Sequence, residues 1–512
     1  MLKLRPKQLS LYSILYDKIP TNHILKMIAQ AVDFSFINKL LEKSYSKTLG
    51  RPAKEPEMMA KLLILQYLYN LSDVKVIEEA GLNLAYLWFL GVNPEEDLPD
   101  ASLLAKFRTQ RLQETSVDDV IQEVVRQCIE KGIIKGSGMS IDATHVIANT
   151  VKKVPERIMK HLAKKIFRVM EEEAGSVSEE IDTSIPDYKT IEDHQQAKAI
   201  MKSYLEQVIQ IAGKTCDSET MPRTKTLLDE AKKIIEEPQF ILQKGIRSLV
   251  DQDARVGHKS KTDSFYGYKV EFAMIPEERI ITAVTAAHGA YVDGEKFNEL
   301  YEGTKKCGVK ITSVYGDKAY FRKPILDLLK EEKVETLIPV SQAAYKIDES
   351  KFSYNKDSDQ WFCHMGNYTV SKVYQKTNRK NDVFKYTFDK VQCKNCICRS
   401  ECTTAKSGAK RLGVSVNVAE YYEYNQWAKT EEFKGKYKKR ASHEWKNGEI
   451  KRFHGLDRAR GYGLKSVMLQ GKLTALAVNL KRIASLLLSL FMQLCSFLSK
   501  GVDVRFQERA TA

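Results

Sequence analysis

The sequence predicts a mixed α/β protein with a helical N-terminal domain and two insertions, one helical and one containing a cysteine cluster. Residues 8–115 carry apolar side chains at helical spacing, and residues 265–340 alternate between strand and helix patterns. Residues 341–430 contain turns, aromatic residues and five of the nine cysteines. A chain of 512 residues is long enough for about three domains with a substantial core.

Residues 1–130 are expected to form a helical domain that binds DNA. Pro56 suits the first turn of a strongly apolar helix, and Ser72 is suited to cap the helix that follows. Gly81 and Gly91 are expected to end two short helices. Short helices joined at glycines are typical of helix-turn-helix DNA-binding modules, and a plain helical bundle is the alternative.

The α/β core is predicted from two separated parts, residues 131–150 and 251–340. The first part is rich in β-forming residues and predicts one strand. Within the second part, residues 265–340 predict two hairpinned strands followed by alternating helices and strands, hence a mixed sheet covered by helices. Residues 151–250 predict the helical insertion, and residues 341–430 the insertion with the cysteine cluster.

Residues 431–512 are predicted to supply the C-terminal helices of the core. Within them, residues 483–499 carry no charge but include four serines and a glutamine. As a helix this stretch spans about 25 Å, short of the roughly 30 Å hydrocarbon layer of a bilayer. A buried or oligomer-forming helix is therefore favoured over a membrane element.

The chain is strongly basic, with 81 Lys and Arg against 66 Asp and Glu and a formal net charge of +15. This surplus favours a polyanionic partner, either nucleic acid or an acidic membrane surface. No apolar segment follows the basic residues at the N-terminus, so no secretory signal is expected. The protein is therefore expected in the reducing cytoplasm.

Six candidate metal ligands are concentrated in the second insertion: Cys363, His364, Cys393, Cys396, Cys398 and Cys402. In a reducing compartment such a cluster favours a metal site over a disulfide. Four thiolates suit tetrahedral zinc, and the proposed ligands are Cys363, Cys393, Cys396 and Cys402. The spacing departs from that of a standard zinc ribbon, so reduced thiols without a metal are the alternative.

Two aspartates are placed where chemistry is often found. Asp142 lies inside the first predicted strand, and Asp317 lies at the C-terminal end of a later one, where open α/β sheets place ligands. A carboxylate in a half-buried strand is costly unless it is hydrogen-bonded or binds a metal. Considered singly, each aspartate is more typical of a hydrogen-bonded structural group.

A predicted helix from about Lys434 to Arg452 carries a polar stripe. At about 100° per residue, four side chains fall within a sector about 60° wide: Tyr437, Arg440, Glu444 and Lys451. The stripe offers one carboxylate for a metal, two cations for phosphates and one phenol. A charged solvent face with a favourable Arg440–Glu444 pair is the alternative.

These segments together resemble the bacterial insertion-sequence transposases of the DDE type. Tyr437, Arg440, Glu444 and Lys451 fit every position of that family's Y-x2-R-x3-E-x6-K signature. The segments SIDATHV and VYGDKAY resemble those around its first and second catalytic aspartates. Residues 454–464 and 474–483 resemble its C-terminal region, and RPAKEPEMMAKLLIL, LWFLG and ASLLAKFR resemble the helical domain that often precedes its core.

The resemblance implies an RNase H-like core in which Asp142, Asp317 and Glu444 are the catalytic triad. These carboxylates would bind Mg²⁺ or Mn²⁺, and Tyr437, Arg440 and Lys451 would bind DNA near the cleaved end. Three carboxylates suit this chemistry because two divalent ions about 3.5–4 Å apart can clamp a scissile phosphate.

The expected activity is metal-dependent cleavage at insertion-element ends and strand transfer into target DNA. The expected partners are double-stranded DNA, both element ends and target, and a second copy of the chain in a synaptic homodimer. A bacterial cytoplasmic, nucleoid-associated location is expected, and no membrane. Two alternatives stay open, a metal-dependent DNA nuclease of the same fold and a catalytically silent DNA-binding protein.

Overall fold

The computed structural model describes residues 9–46, 52–112, 114–217, 219–260, 262–376 and 382–510, without the side chains of 114–116 and 494–510. The described residues form a mixed α/β fold, as the sequence predicts.

The N-terminal region is helical. Its α-helices are α1 (Ile24–Ala31), α2 (Phe36–Leu41), α3 (Pro56–Leu68), α4 (Asp73–Leu82), α5 (Leu84–Leu90), α6 (Ser102–Lys106) and α7 (Glu114–Glu130). Pro56 opens α3, and the Ser72 hydroxyl accepts a hydrogen bond from the Lys75 amide at 3.2 Å, so the predicted start and cap are confirmed. Gly91 ends α5 in the left-handed conformation with φ 69°, also as predicted.

The main sheet contains six strands: β1 (Ser137–Ile147), β2 (Arg255–His258), β3 (Ser264–Ile275), β4 (Ile280–His288), β5 (Lys310–Tyr315) and β6 (Glu335–Leu337). The strand order is β2-β3-β1-β5-β6. Strand β2 pairs with residues 264–267 of β3, and β4 pairs with residues 268–275 of the same strand. Antiparallel pairing joins β1 to β3, and parallel pairing joins β1 to β5 and β5 to β6.

Helices cover both faces of this sheet: α11 (Phe297–Lys306) and α12 (Lys323–Glu331) on one, α18 (Leu464–Ala510) on the other. Gly471 of α18 packs so closely that an added Cβ would lie 3.2 Å from Val270 and 3.3 Å from Val284. Gly303 of α11 approaches Ala283 in the same way, at 2.8 Å. Because neighbouring strand residues point to opposite faces, these contacts place the two helices on opposite sides of β4.

Residues between β1 and β2 form a helical unit with its own apolar core. The helices are α8 (Pro155–Ala174), α9 (His194–Thr215) and α10 (Pro222–Glu236). Met159, Leu205 and Ile234 are among the side chains buried between them.

Residues 341–430 form two small sheets and three helices. The strands are β7 (Phe352–Asn355), β8 (Gln360–Cys363), β9 (Thr369–Gln375), β10 (Val383–Phe388) and β11 (Arg411–Ser415). The helices are α13 (Lys390–Lys394), α14 (Arg399–Cys402) and α15 (Val418–Ala428). Trp361 is fully buried and packs against Tyr354 and Tyr422, so the aromatic residues of this region form a core.

The helix predicted over about 434–452 is broken, so that prediction is wrong in its continuity. Helix α16 (Glu431–Tyr437) is followed by a 3-10 turn over Lys438–Arg440 and then by α17 (Ala441–His454). Tyr437, Arg440 and Ala441 keep right-handed helical dihedral angles through the turn.

Among the described residues one helical segment, Leu464–Gln493, is long and apolar enough to cross a membrane, with mean hydropathy 1.6. Residues 470–480 of this segment are all buried, against the sheet and the N-terminal helices. Burial of the stretch predicted over 483–499 extends only to Ala484, and residues 485–493 are exposed or half-buried. The side chains beyond them lie outside the described residues.

Asn479 of α18 is expected to be essential for stability. It is fully buried, its Oδ1 accepts from the Ile281 amide at 2.7 Å, and its Nδ2 donates to the Ile281 carbonyl at 2.6 Å. Asn479→Ala would leave both buried backbone groups on the free edge of β4 without partners, so we expect unfolding free energy to fall by about 2–4 kcal/mol. The exposed Ser485→Ala on the same helix should change it by less than about 0.5 kcal/mol in urea unfolding. Equal effects of the two substitutions would contradict this role.

Candidate active site

Asp142 and Asp317 lie at the same level on neighbouring parallel strands. The register pairs Ser140 of β1 with Tyr315 of β5, and each aspartate follows its paired residue by two positions. Asp317 begins the 3-10 turn after β5, and its carboxylate accepts from the Ala319 amide at 2.8 Å, as a capping aspartate does. The sheet therefore brings together two carboxylates that are far apart in the sequence.

Glu444 reaches the same place from the first turn of α17. The guanidinium of Arg440 bridges it to the strand, with Nη1 3.1 Å from Glu444 Oε1 and Nη2 3.5 Å from Asp142 Oδ2. The Asp142 and Arg440 side chains are 14% and 18% exposed, whereas that of Glu444 is 65% exposed. Arg440 thus lies between a buried carboxylate, Asp142, and an accessible one, Glu444.

Tyr437 fixes the loop that carries Asp317. Its hydroxyl donates to the Gly316 carbonyl at 3.3 Å, and its ring stacks on Phe433 at a centroid distance of 5.7 Å. Tyr437 is half-buried, so it is held by contacts on both sides. The structure therefore groups Tyr437, Glu444 and the two aspartates around Arg440.

Lys451 of α17 lies next to β1, further along that strand and away from the carboxylates. Its Nζ is 3.3 Å from Nδ1 of His145, three residues beyond Asp142 on β1. Burial and the charge of Lys259 lower the pKa of Lys451 to about 8, and burial and Lys451 lower that of His145 to about 4. A half-buried cation next to a neutral imidazole is suited to accept a phosphate rather than to complete the carboxylate cluster.

Three residues that support Asp142 were missed from the sequence: Ser140, His443 and Asn447. The Asn447 Nδ2 donates to Asp142 Oδ2 at 3.1 Å, and the buried His443 places Nδ1 3.0 Å from the Ser140 hydroxyl. On an ideal helix Asn447 falls at about 280°, next to Arg440 at about 300°, so the stripe already contained its signal. His443 is hidden from pattern analysis because its role comes from burial against β1.

Burial dominates the electrostatics of Asp142. It raises the pKa of that carboxyl to about 6; Arg440 opposes the shift, and the charges of Asp317 and Asp293 add to it. Glu271, a fully buried acid on the adjacent strand, is by contrast satisfied by the Tyr291 and Tyr320 hydroxyls at 2.8 and 2.9 Å. Asp142 is thus the buried acid whose charge calls for a stronger cationic partner.

The chemistry of the donor set fits a hard divalent cation. Mg²⁺ and Mn²⁺ prefer carboxylate and amide oxygens, and the residues around Arg440 include three carboxylates. The buried Oδ1 of Asn447 has no hydrogen-bond partner among the described residues, which leaves a further oxygen free next to Asp142. Arg440 supplies a positive charge next to Asp142 and Glu444, and no three acidic, His or Cys residues in the described part of the chain are spaced as a preformed metal site.

The cysteines surround a second cavity, of about 450 Å³, in residues 341–430. Cys363, His364, Cys393, Cys396, Cys398 and Cys402 all line it. Burial raises the pKa of the Cys402 thiol, and the three cysteines that raise it further are Cys393, Cys363 and Cys396. The fold therefore brings together the four cysteines predicted to bind zinc, although among the described residues they do not form a closed metal site.

Two family descriptions match this chain. Residues 13–110 match a transposase domain (DUF772), and residues 362–484 match a transposase DDE domain. The second match includes Tyr437, Arg440, Glu444 and Lys451, and both aspartates lie outside it. The matches confirm the resemblance to DDE-type transposases.

No curated protein gives a significant match to the chain. Among solved structures, a cryo-EM structure of the piggyBac transposase synaptic complex with hairpin DNA is similar at a TM-score of 0.30 and 10% identity. The similarity covers 94% of this chain and 76% of that one. It is too distant to carry a structural conclusion.

Asp142→Asn is expected to stabilise the metal-free protein at pH 7. Because the folded-state pKa is raised, ionising Asp142 costs stability, by roughly 3 kcal/mol at most for a shift of this size. Arg440 loses a partner in the variant, so we expect a net gain of about 1–2 kcal/mol in urea unfolding with EDTA present.

The gain should shrink as the pH falls from 7 to 4, because wild-type Asp142 takes up its proton below about pH 6. Asp327→Asn, the same change at an exposed residue of α12, should give no such pH-dependent gain. A variant Asp142→Asn that is less stable than wild type at pH 7 would contradict the electrostatic assignment.

Proposed function

We propose that this chain, which belongs to the DDE-type transposases, cleaves DNA at insertion-element ends and joins the freed 3′ ends to target DNA. The observation that carries the proposal is the grouping of Asp142, Asp317 and Glu444 around Arg440, from two neighbouring parallel strands and a helix. The two transposase matches, which precede and follow the strands of the sheet in the sequence, support it.

We propose that the sheet is an RNase H-like core. Support comes from its topology: β1, β3 and β4 form an antiparallel meander, and β5 and β6 extend the sheet parallel to β1. The helical unit 151–250 and the cysteine-containing region 341–430 would then be insertions, because each leaves and re-enters this core.

Asp142, Asp317 and Glu444 would hold Mg²⁺ or Mn²⁺, with Asp142 as the most buried ligand. Such ions, when bound, activate the attacking water or 3′-hydroxyl and stabilise the leaving oxygen. The residues of the chain prepare the site. Asn447 orients the Asp142 carboxylate, and Tyr437 fixes the loop of Asp317 through the Gly316 carbonyl.

Arg440 and Lys451 would position the DNA. Arg440 pairs with Asp142 and Glu444; a bound metal would neutralise these carboxylates, and the guanidinium would then be available to bind a phosphate with two hydrogen bonds. Lys451 would bind a phosphate further along the strand. Tyr437 would act as a positioning residue next to the DNA end.

A metal-dependent nuclease on the same fold would use the same residues and stop after hydrolysis. A catalytically silent DNA-binding protein would need no carboxylate cluster. The complete triad disfavours the catalytically silent protein. An assay for strand transfer distinguishes the nuclease from the transposase.

We further propose that the protein works as a homodimer that holds two element ends and a target duplex, in the bacterial cytoplasm at the nucleoid. Joining both ends of one element requires that two active sites be held together, and the net charge of +15 favours a polyanionic partner. The exposed apolar side chains of α18, Leu490, Phe491 and Met492, are available to such an assembly.

We also propose that Cys363, Cys393, Cys396 and Cys402 bind structural zinc. The four thiols line one cavity, and Cys393, Cys363 and Cys396 lie near enough to Cys402 to raise its pKa, which supports the set. Zinc would then stabilise residues 341–430 without taking part in the chemistry.

The central test compares wild type with Glu444→Gln on a labelled element-end duplex in Mg²⁺. Removing one charge while keeping the shape should lower cleavage and strand transfer by at least about 100-fold and leave DNA binding intact. Glu431→Gln, the same change at an exposed residue of α16, is the matched control and should keep full activity. Cleavage without joining by wild type would favour the nuclease, and full activity of Glu444→Gln would refute the triad.

The zinc assignment is tested by elemental analysis of the purified protein. We expect one zinc per chain in wild type and in Cys398→Ala, and loss of zinc in Cys402→Ala. Cys398 is the matched control because it lines the same cavity. Wild-type protein without zinc, or equal zinc in both variants, would favour the reduced-thiol alternative.

A further inference from the structure

A large cleft separates the N-terminal helices from the segment between α17 and α18. It encloses about 1200 Å³, more than the roughly 300–1,000 Å³ typical of small-molecule sites. One wall comes from the end of α3, the start of α4 and the turn after α6, and the other comes from residues 455–470. Its charged lining residues are four cations and one carboxylate: Arg108, Arg458, Arg460, Lys465 and Asp73.

Two of these cations are committed to holding the walls together. Arg460 donates to the Leu71 carbonyl at 3.0 Å and to Asn70 Oδ1 at 2.7 Å, and its guanidinium lies 4.5 Å from the centre of the Tyr67 ring. Arg108 is paired with the lone carboxylate, Asp73. Gly455 permits the close approach, because a Cβ there would lie 2.5 Å from Asn70 Oδ1. The shape of the cleft is therefore fixed by the protein itself.

The other two cations are available to a ligand. Arg458 and Lys465 are exposed, and neither side chain has a hydrogen bond or ion pair within the described residues. Tyr462, 51% exposed, lies at the same rim. The free charge of the cleft is thus positive and fixed on a rigid wall.

The same wall is joined directly to the strand that carries Asp142. The Ile147 amide donates to the Asp457 carbonyl at 2.9 Å, and the Ala459 amide donates to the Ile147 carbonyl at 2.8 Å. Ile147 is five residues beyond Asp142 on β1, or about 17 Å along an extended strand. The Lys451–His145 pair lies between them. Lys451 therefore places a cation between the carboxylates and the cleft.

We propose that this cleft binds the sugar-phosphate backbone of the duplex whose end is cut, with Arg458 and Lys465 as the phosphate ligands. The inference rests on the proposed function. A distance of about 17 Å corresponds to about five base pairs at 3.4 Å per phosphate along a strand. A phosphate bound at the level of Ile147 would therefore lie about five base pairs from the cleaved bond. N-terminal helices and catalytic strand then bind the same duplex, and end recognition is coupled to cleavage.

The test measures equilibrium binding of an end duplex to full-length protein in EDTA over a range of salt concentrations. Each lost phosphate contact should reduce the slope of log K against log salt by about 0.9, so Arg458→Ala with Lys465→Ala should reduce it by about 1.8. Lys306→Ala with Lys330→Ala is the matched control. Both lysines are exposed, on α11 and α12, on the opposite face of the sheet, and their loss should leave the slope unchanged.

Neutral methylphosphonates placed one at a time along the duplex locate the contact. Methylphosphonates about five base pairs from the cut should weaken the binding of the duplex to wild type. The same substitutions should cause little further loss of affinity in the cleft variant. An unchanged slope in the cleft variant, or an equal loss in the control pair, would overturn the proposal. Because binding is measured without metal, it is independent of cleavage. If wild-type protein is inactive and the cleft variant still shows the reduced slope, the proposed function is refuted and the cleft assignment stands.

Discussion

The parallel pairing of β1 with β5 is the constraint on which the candidate active site depends. Pairing of Ser140 with Tyr315 sets the level of the two aspartates, and a shift of one residue would turn either side chain to the other face of the sheet. The antiparallel pairing of β1 with β3 holds the same strand from its other edge. The level of Asp142 is therefore fixed from both sides before any ligand is present.

The third carboxylate is placed by packing. Helix α17 lies on β1 through His443 against Ser140 and Asn447 against Asp142, which positions Glu444 above the aspartates. Its C-terminal end is fixed by His454, whose Nδ1 lies 2.9 Å from the Tyr67 carbonyl. Because the segment after α17 pairs with Ile147 and also contacts the N-terminal helices, one continuous stretch of chain connects the carboxylates to the DUF772-matching region.

Much of the sheet could be predicted because each strand has its own local pattern. The strands from Ser264 to Leu337 occur where apolar β-forming runs predict them, and the helices between them occur at helical spacing. The triad could be proposed only through family resemblance, because a lone strand aspartate is indistinguishable by pattern from a satisfied one. The break between α16 and α17 has no periodic signal.

Long-range contacts were beyond sequence analysis. The cleft joins residues nearly 400 positions apart, and its Arg460 could not be told from any surface arginine. In the neighbouring VDQDARVG stretch, Asp251 is buried and accepts from the Tyr268 hydroxyl. Asp253 accepts from the Leu464 amide at 2.8 Å at the start of α18. These acids are structural because of what packs on them.

The most direct test is whether Asp142, Asp317 and Glu444 hold one metal centre. Fe²⁺ can replace Mg²⁺ at oxygen-rich sites, and with ascorbate and peroxide it cuts the polypeptide close to where it is bound. We expect three cuts in wild-type protein, near residues 142, 317 and 444, all weakened together by Glu444→Gln. Cuts confined to one of these segments, or located elsewhere in the chain, would contradict a shared metal centre.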